Sequence, residues 1–446
     1  MQSPAGGARQ DAPGGGYVTR TVRGRRRSRA ASPWLMLLLS MTVAALAGHR
    51  AAAQEQEPVR GEAVLDRPHP DYAPIGARIG SLMINPYLGF SEAYNDNIFF
   101  TEHNPKDDFI STISGGVRAS DALENLSLLL DVGADGAIYA KNPDETYWQG
   151  HFSLNGRYDI DPGFALLGQI QALRLVQARD EPDVINGVKP TIYYDILSSV
   201  GFSKNQGRFN LSSSVTYERL QYQNTTGAGG VTIDQQQNNQ NVYGIDARLG
   251  YNYVGNQDVF IRIRGNIRDY VQSVSSDGFQ RSSKGYILTF GSTFDLGGLI
   301  TGSAAIGVEQ QFYDDARFGT VTNPIANLNL LWNPTGLDSV IGNLTYDFVP
   351  TLTGSSPGYW RSLASLEVDH ELRRNVVLIG EVDFLHRDYV ESNQFSNAVG
   401  ASVGARYLID NGLNLDARYR FRYQQGNGSN SDYTNNTVFV QLRKTF

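Results

Sequence analysis

The chain predicts an all-β fold, a transmembrane antiparallel up-and-down β-barrel of about 18 strands, with roughly 16 as the other count considered. Three observations predict it. The first is alternation. Leu413, Leu415, Ala417, Tyr419, Phe421 and Tyr423 interleave with Asn414, Asp416, Arg418, Arg420, Arg422 and Gln424. Side chains alternate every residue only in a strand, so one face is apolar and aromatic and the other charged. The second is the rhythm of the connections, short then long. The third is hydropathy. A mean of −0.33 with 41% hydrophobic residues rules out a bundle of membrane helices.

The elements follow in order. Pro33 to Gly48 is the one segment that approaches an apolar helix. It is too short for a durable span, follows an arginine run from Arg20 to Arg29, and precedes Ala51-Ala52-Ala53-Gln54. Residues 1–53 read as a secretory signal peptide cut after Ala53, with a membrane anchor as the competing reading. Arg25-Arg26-Arg27 raises twin-arginine export, but no hydrophobic consensus follows it, and a barrel must cross the inner membrane unfolded. Residues 1–17 are Gly-rich, so the start codon can lie downstream of Met1.

Residues 54–81 lack periodicity and contain Arg67-Pro68-His69-Pro70. They read as a periplasmic N-terminal tail, mostly disordered. Residues 82–446 read as the barrel. Short connections fall at Asp161-Pro162-Gly163, Asn205-Gln206-Gly207, Gly255-Asn256-Gln257, Gly297-Gly298, Arg373-Arg374-Asn375 and Asp410-Asn411-Gly412. Gly, Asn and Asp there supply the positive φ of hairpin turns. Long polar connections run from Gln223 to Asn239, Ser273 to Ser283, Asp314 to Thr322 and Gly426 to Asn435. The alternation places short turns on the periplasmic rim and long loops outside. A propeller or solenoid would need a fixed repeat, which is missing.

Faces follow from parity. Leu126, Leu128, Leu130 and Val132 face lipid with Asp131 and Asp135 inward; Phe209, Leu211, Val215 and Tyr217 face lipid; Val259, Ile261, Ile263 and Ile267 face lipid. In Gly163 to Arg179 the apolar residues change parity between Ile170 and Leu173, which suggests a β-bulge.

The inward charges are candidate site residues. An acidic wall holds Asp347, Glu367, Asp369, Glu371, Glu381 and Asp383. A basic wall holds Arg406, Arg418, Arg420 and Arg422, with Arg262, Arg264 and Arg268 about five strands earlier, across the lumen. Opposed walls would make a transverse field at a constriction for sugars or ions. Neighbouring strands neutralising each other in ladders explain the same residues, and sequence leaves both open.

Composition excludes other classes. Eight of the 38 basic and one of the 45 acidic side chains lie in residues 1–53, so the remainder carries 30 against 44, net −14. That repels nucleic acid. No cysteine exists for a disulfide, thiol nucleophile or Cys-metal site. Six histidines include no metal spacing and no serine elbow; His370 and His386 fall on lipid faces and His151 inward. Gly227 to Gly230 lacks the lysine of a phosphate loop. Asp314-Asp315 in an outer loop could hold calcium weakly, with a solvated loop as the default. No enzyme, cofactor or metal is expected.

Tyr94-Asn95-Asp96-Asn97-Ile98 followed by Lys106-Asp107-Asp108-Phe109-Ile110 resembles the "putative beta-barrel porin 2" family of proteobacterial outer-membrane proteins. Its members open with an aromatic-polar-Asp-Asn stretch after the first strand. The resemblance implies a Gram-negative outer-membrane barrel assembled by the barrel-assembly machinery among outer-membrane lipid and lipopolysaccharide. Several members are similar to proteins encoded beside exopolysaccharide genes, which implies a part in polysaccharide export or display. It brings no catalytic residues. From the residues alone, Asp96, Asn97, Asp107 and Asp108 form an outer-rim polar cluster or cap the ends of paired strands. The chain ends with Val438, Val440 and Leu442 alternating toward Phe446, interrupted by Lys444. The expected function is a channel for polar solutes linked to exopolysaccharide export. The alternatives are a nonspecific diffusion porin and a structural or adhesion barrel with a plugged lumen.

Overall fold

The computed structural model describes residues 61–446 apart from 185–186, 256, 352–353 and 429–431. The expected signal, residues 1–53, lies outside the described residues. Eighteen strands form the wall. They are β1 (Leu82–Asn95), β2 (Asp108–Ala122), β3 (Leu126–Tyr139), β4 (Tyr147–Asp161), β5 (Phe164–Val176) and β6 (Ile192–Gln206). Next come β7 (Phe209–Tyr222), β8 (Gln240–Val254), β9 (Gln257–Tyr270), β10 (Ser283–Leu296), β11 (Ile300–Tyr313) and β12 (Thr320–Trp332). The last six are β13 (Asp338–Pro350), β14 (Gly358–Arg373), β15 (Val376–Tyr389), β16 (Phe395–Asp410), β17 (Leu413–Gly426) and β18 (Tyr433–Thr445). Each pairs antiparallel with the next, and β1 pairs with β18, which closes the cylinder.

Alternation in sequence becomes alternation in space. Val132, Val215 and Ile263 are exposed on the outer face, while Asp131, Asp135, Ser214 and Glu218 are buried inward. Aromatic pairs gather at both ends of the apolar belt, as interfacial rings do. Tyr94 and Phe109 lie 5.0 Å apart at the long-loop end, and Phe209 and Tyr251 lie 5.3 Å apart at the short-turn end. Lys444 also points outward, and its ammonium reaches the Asn411 carbonyl at the short-turn rim. It snorkels, so it interrupts the terminal pattern without burying charge. The turn beside it needs Gly412, whose φ is +73° and whose added Cβ would strike the Thr445 carbonyl.

Two expectations are corrected. Residues 164–176 hold no bulge against β6; the register runs unbroken from Phe164↔Lys204 to Val176↔Ile192. The irregularity lies at the turn, between Asp159 and Asp161. Leu173 and Leu175 simply face inward, packed with Tyr193, Leu220 and Tyr222. Arg174 faces outward, its guanidinium 3.7 Å from the Trp148 ring centroid. The inner wall is apolar there, so residue chemistry changes parity while the backbone does not.

The second correction concerns the N-terminal tail, which from Gly61 onward is ordered and crosses the short-turn mouth. Val64 starts a 3-10 turn and is fully buried against Val377 and Ile379, two inward residues of β15. Its amide donates to Ser339 Oγ at 2.8 Å, and Asn333 Nδ2 donates to the Glu62 carbonyl at 3.2 Å. Arg67 reaches the Gly336 carbonyl. Gly412 N donates to the Tyr72 carbonyl at 2.7 Å, and residues 77–79 then pair with the start of β1. The strap thus runs from the β12–β13 turn to the β16–β17 turn.

Burying one valine side chain is worth about 1.5–3 kcal/mol. Val64→Asp is expected to detach the strap while leaving the barrel closed. Limited proteolysis should then cut within residues 61–76 of the folded variant and spare the wild type; equal protection in both would refute the anchoring role of Val64.

Candidate functional site in the barrel lumen

The inner wall carries rows of charge, and the structure joins them mostly as pairs. On one side, Arg406 Nε donates to Asp416 at 2.7 Å and Arg420 Nη2 to Asp383 at 3.1 Å, while Arg418 lies 3.9 Å from Glu381. The last two pairs join β15 to β17 over β16. Gly400 makes this possible: a Cβ there would come within 2.2 Å of the Asp383 carboxylate. Asp347 is held by Arg361, at 2.6 and 2.9 Å. On the far side, Arg262 Nε donates to Asp246 at 2.7 Å and Arg268 to Gln240 at 2.9 Å. Arg264 stands in the field of Asp246, Glu309 and Asp347. Glu367 and Asp369 are buried. Glu371 and Asp369 lie near Arg67 of the strap, whose guanidinium burial lowers from its ordinary value while these carboxylates oppose the shift. Acid and base therefore interleave around the lumen. β9 stands four strands from β13 and eight from β17, with the acidic residues distributed between them.

The constriction comes from a loop that the sequence reading did not single out. The described residues of the connection between β5 and β6, 177–184 and 187–191, fold into the lumen and are anchored from three directions. Arg179 forms a bidentate pair with Glu145, at 2.5 and 3.1 Å. Asp180 lies 3.2 Å from Arg422 of β17. Asp183 accepts from Thr351 Oγ1 at 2.5 Å. Thr351 is fixed in turn by Arg281, whose Nη1 donates to the Thr351 and Ser356 carbonyls at 2.8 and 3.0 Å. The available signal was the triplet Asp180, Glu181 and Asp183 in a loop unusually placed between apolar inward residues.

The Tyr94–Ile110 motif builds the supports for this loop. Asp96 continues the β1–β18 ladder past its last pair: its carboxylate accepts from Asn436 N at 2.7 Å and Nδ2 at 2.6 Å. Asn97 ties the following turn, accepting from Thr101 N at 3.0 Å and donating to the Thr101 and Thr434 carbonyls. That turn directs Ile98 and Phe99 into a cluster with Ala93, Ile110, Ala137 and Tyr147. Asp107 pairs with Lys141, which holds its carboxyl below the usual range. Asp108 is fully buried and accepts from Lys141 N, Asn142 N and Asn142 Nδ2 at 2.8–2.9 Å. It thereby fixes the 140–146 loop that presents Glu145 to Arg179. The motif residues cap strand ends and position the constriction.

Between loop and strap a cavity of about 270 Å³ remains, running beside β14–β18 and β1–β5. Its lining includes Arg179, Arg406, Arg418, Arg420, Arg422 and Arg443 against Asp66, Glu145, Asp180, Glu381, Asp383 and Asp416. The passage is strongly polar yet balanced in sign.

Histidines and outer-loop acids have structural partners. His151 Nε2 lies 3.3 Å from Asp131 and from the Tyr87 hydroxyl. His370 is 2.8 Å from Asp338 and His386 is 2.7 Å from Asn397. Asp315 is occupied by Arg317 and by the Gln280 amide, and Arg317 holds its carboxyl far below the usual range. Among the described residues, no group of three or more His, Asp or Glu could hold a metal ion.

The family model "Putative beta-barrel porin 2" matches residues 69–446. The chain belongs to this family. No curated protein matches it. Among solved structures it is similar to Pseudomonas aeruginosa OccK2 (OpdF), at 12% identity and a TM-score of 0.46 over 81% of this chain and 98% of that one. It is also similar to Acinetobacter baumannii OccAB4 (10%, TM-score 0.46, 85% and 100%) and to a BenF-like porin from Pseudomonas fluorescens Pf-5 (10%, TM-score 0.46, 83% and 100%). The protein is a porin-like β-barrel of the outer membrane.

Two outcomes test the architecture. Asp108→Ala removes three hydrogen bonds to a charged acceptor, each worth about 1.5–3 kcal/mol. It should free the 140–146 loop and, through Glu145, expose residues 177–191 to protease without opening the barrel on a heat-modifiability gel. An unchanged cleavage pattern would remove Asp108 from the support chain. The second concerns pH. Glu181 is half-buried beside Asp180 and Asp183, and burial first, then these charges, push its carboxyl up to about 8. A raised acid favours the folded-in loop below its free value near 4.5, and that contribution fades as pH rises through about 8. Loop protection from hydrogen exchange should therefore fall between pH 5 and about 8 in the wild type and stay flat over that window in Glu181→Gln.

Proposed function

We propose that this chain is a narrow, loop-constricted channel for small polar solutes, and that it works in connection with polysaccharide export. The carrying observation is the cavity between the inward loop and the strap. Its guanidinium and carboxylate rows supply donors and acceptors in turn, which replace the hydration of a solute that carries both. The equal numbers of acid and base in the lining favour neutral polar or zwitterionic solutes over a strongly anion- or cation-selective path. A saccharide fits this description, since each hydroxyl both donates and accepts, and the link to polysaccharide rests on that match. The loop and the strap favour small saccharides over an extended polymer.

In planar bilayers the folded protein is expected to give small single-channel steps with a reversal potential near zero in a salt gradient. Arg422→Ala, which releases Asp180, should enlarge the steps. A silent preparation whose heat-modifiable band shows full folding would leave the plugged structural barrel in its place. Deleting the gene should reduce secreted saccharide; unchanged output with normal conductance would separate the channel from export and leave a diffusion porin.

A further inference from the structure

The outward series on β9 runs Val259, Ile261, Ile263 and Ile267, all exposed, with Gly265 in the middle. Gly265 stands opposite Ile245 on β8 and Tyr286 on β10. With no side chain there, the lipid face dips into a groove of about 520 Å³ walled by Tyr243, Ile245, Ile267, Tyr286 and Phe312. Scattered apolar residues on a barrel exterior need no explanation, whereas a shaped apolar depression does.

The groove has a direction. Lys284 is the second residue of β10 and Phe312 the next to last of β11, so it opens at the long-loop end. On an outer-membrane barrel that end lies in the outer leaflet. Lys284 is exposed at the lip. Beside it the Tyr286 hydroxyl donates to Gln310 Oε1 at 2.8 Å, and Gln310 Nε2 donates to Thr322 Oγ1 at 3.0 Å. This outward polar shelf lies within four residues of the long-loop ends of β10, β11 and β12. Asp269 is exposed on the loop side, so the lip is mixed rather than uniformly basic.

We propose that the groove seats one acyl chain of a phosphate-bearing glycolipid of the outer leaflet. Lys284 pairs with the phosphate, and the Gln310–Thr322 shelf takes sugar hydroxyls. The apolar walls select a hydrocarbon chain, the cation selects an anionic headgroup, and the hydroxyl-matching shelf selects a sugar over a simple phospholipid. The site depends on the barrel standing in the outer membrane and is independent of what passes through the lumen.

The test is native mass spectrometry of the refolded protein titrated with purified lipopolysaccharide and, in parallel, with phosphatidylglycerol. The expected result is one retained lipopolysaccharide per wild-type barrel. Lys284→Glu should weaken retention by at least about fivefold, the effect of one interfacial cation, and Gly265→Leu, which fills the floor, should abolish it. Equal retention by all three proteins overturns the proposal, as does phosphatidylglycerol held as firmly as lipopolysaccharide. A dimer mass that Gly265→Leu disperses would assign the groove to a second copy of the chain and also overturn it. If Gly265→Leu fails to fold, the comparison of Lys284→Glu with Lys284→Arg decides, since only the latter keeps the charge.

Discussion

A backbone amide within hydrocarbon has no water to bond, so a sheet in a membrane cannot keep a free edge. Everything else in this molecule depends on the closure between β1 and β18. Their ladder runs only from Tyr87↔Thr445 to Asn95↔Thr437, fewer register pairs than most ladders in the wall. At its outer end Asp96 N donates to the Asn436 carbonyl at 3.1 Å, and the Asp96 carboxylate accepts from both nitrogens of Asn436. At its inner end Phe446 N donates to the Pro86 carbonyl at 2.8 Å and Asn85 donates to the Phe446 carbonyl. At both rims one further main-chain bond and a side-chain amide or carboxylate extend the seam past the last register pair.

Closure creates an interior that must be filled, and here it is filled with charge. Taking an ion out of water is costly unless a partner comes with it, so arginines on one strand face carboxylates one or two strands away. Arg361 with Asp347, Arg262 with Asp246, and Arg420 with Asp383 repeat this solution around the wall. The spacing explains a glycine that strand propensity alone disfavours. Gly400 lies under the Arg420–Asp383 contact, and any side chain there would separate the pair.

Much of the wall could be read from the chain because a strand records its two environments at alternate residues. Leu413 to Gln424 declares its faces, and Gly412 declares its turn. The legibility ends where a segment has only one environment to report. A polar loop folded inward has the same composition as one in solvent, so residues 177–191 look ordinary until Asp180 meets Arg422. The strap is obscure for the opposite reason. It contributes two adjacent buried apolar residues, Ala63 and Val64, too few to make a pattern. Leu173 and Leu175 misled through the same cause: they face a lumen that is apolar locally, so the rule that inward means polar fails there. The charged rows were visible as residues, but their pairing depends on register, which only the ladders specify.

These two obscure segments set the width of the passage, and the wall does not. Each strand is held by ladders on both sides, so the wall fixes only the outer limit of the bore, and a wall residue such as Arg422 changes the bore through the loop it holds. The loop and the strap hang instead on a few side-chain contacts and isolated main-chain bonds, and elements of that kind occupy the low end of local stability. Their anchors are themselves chained: Asp108 holds the loop bearing Glu145, Glu145 holds Arg179, and Arg281 holds the Thr351 that bonds Asp183. Because the Arg179–Glu145 pair is almost wholly withdrawn from solvent, salt screens it little. The bore is therefore adjustable by substitutions at rim residues such as Asp108 and Arg281, away from the cavity lining. A barrel whose wall is common to many sequences can in this way acquire its own selectivity from connections that carry no strand pattern at all.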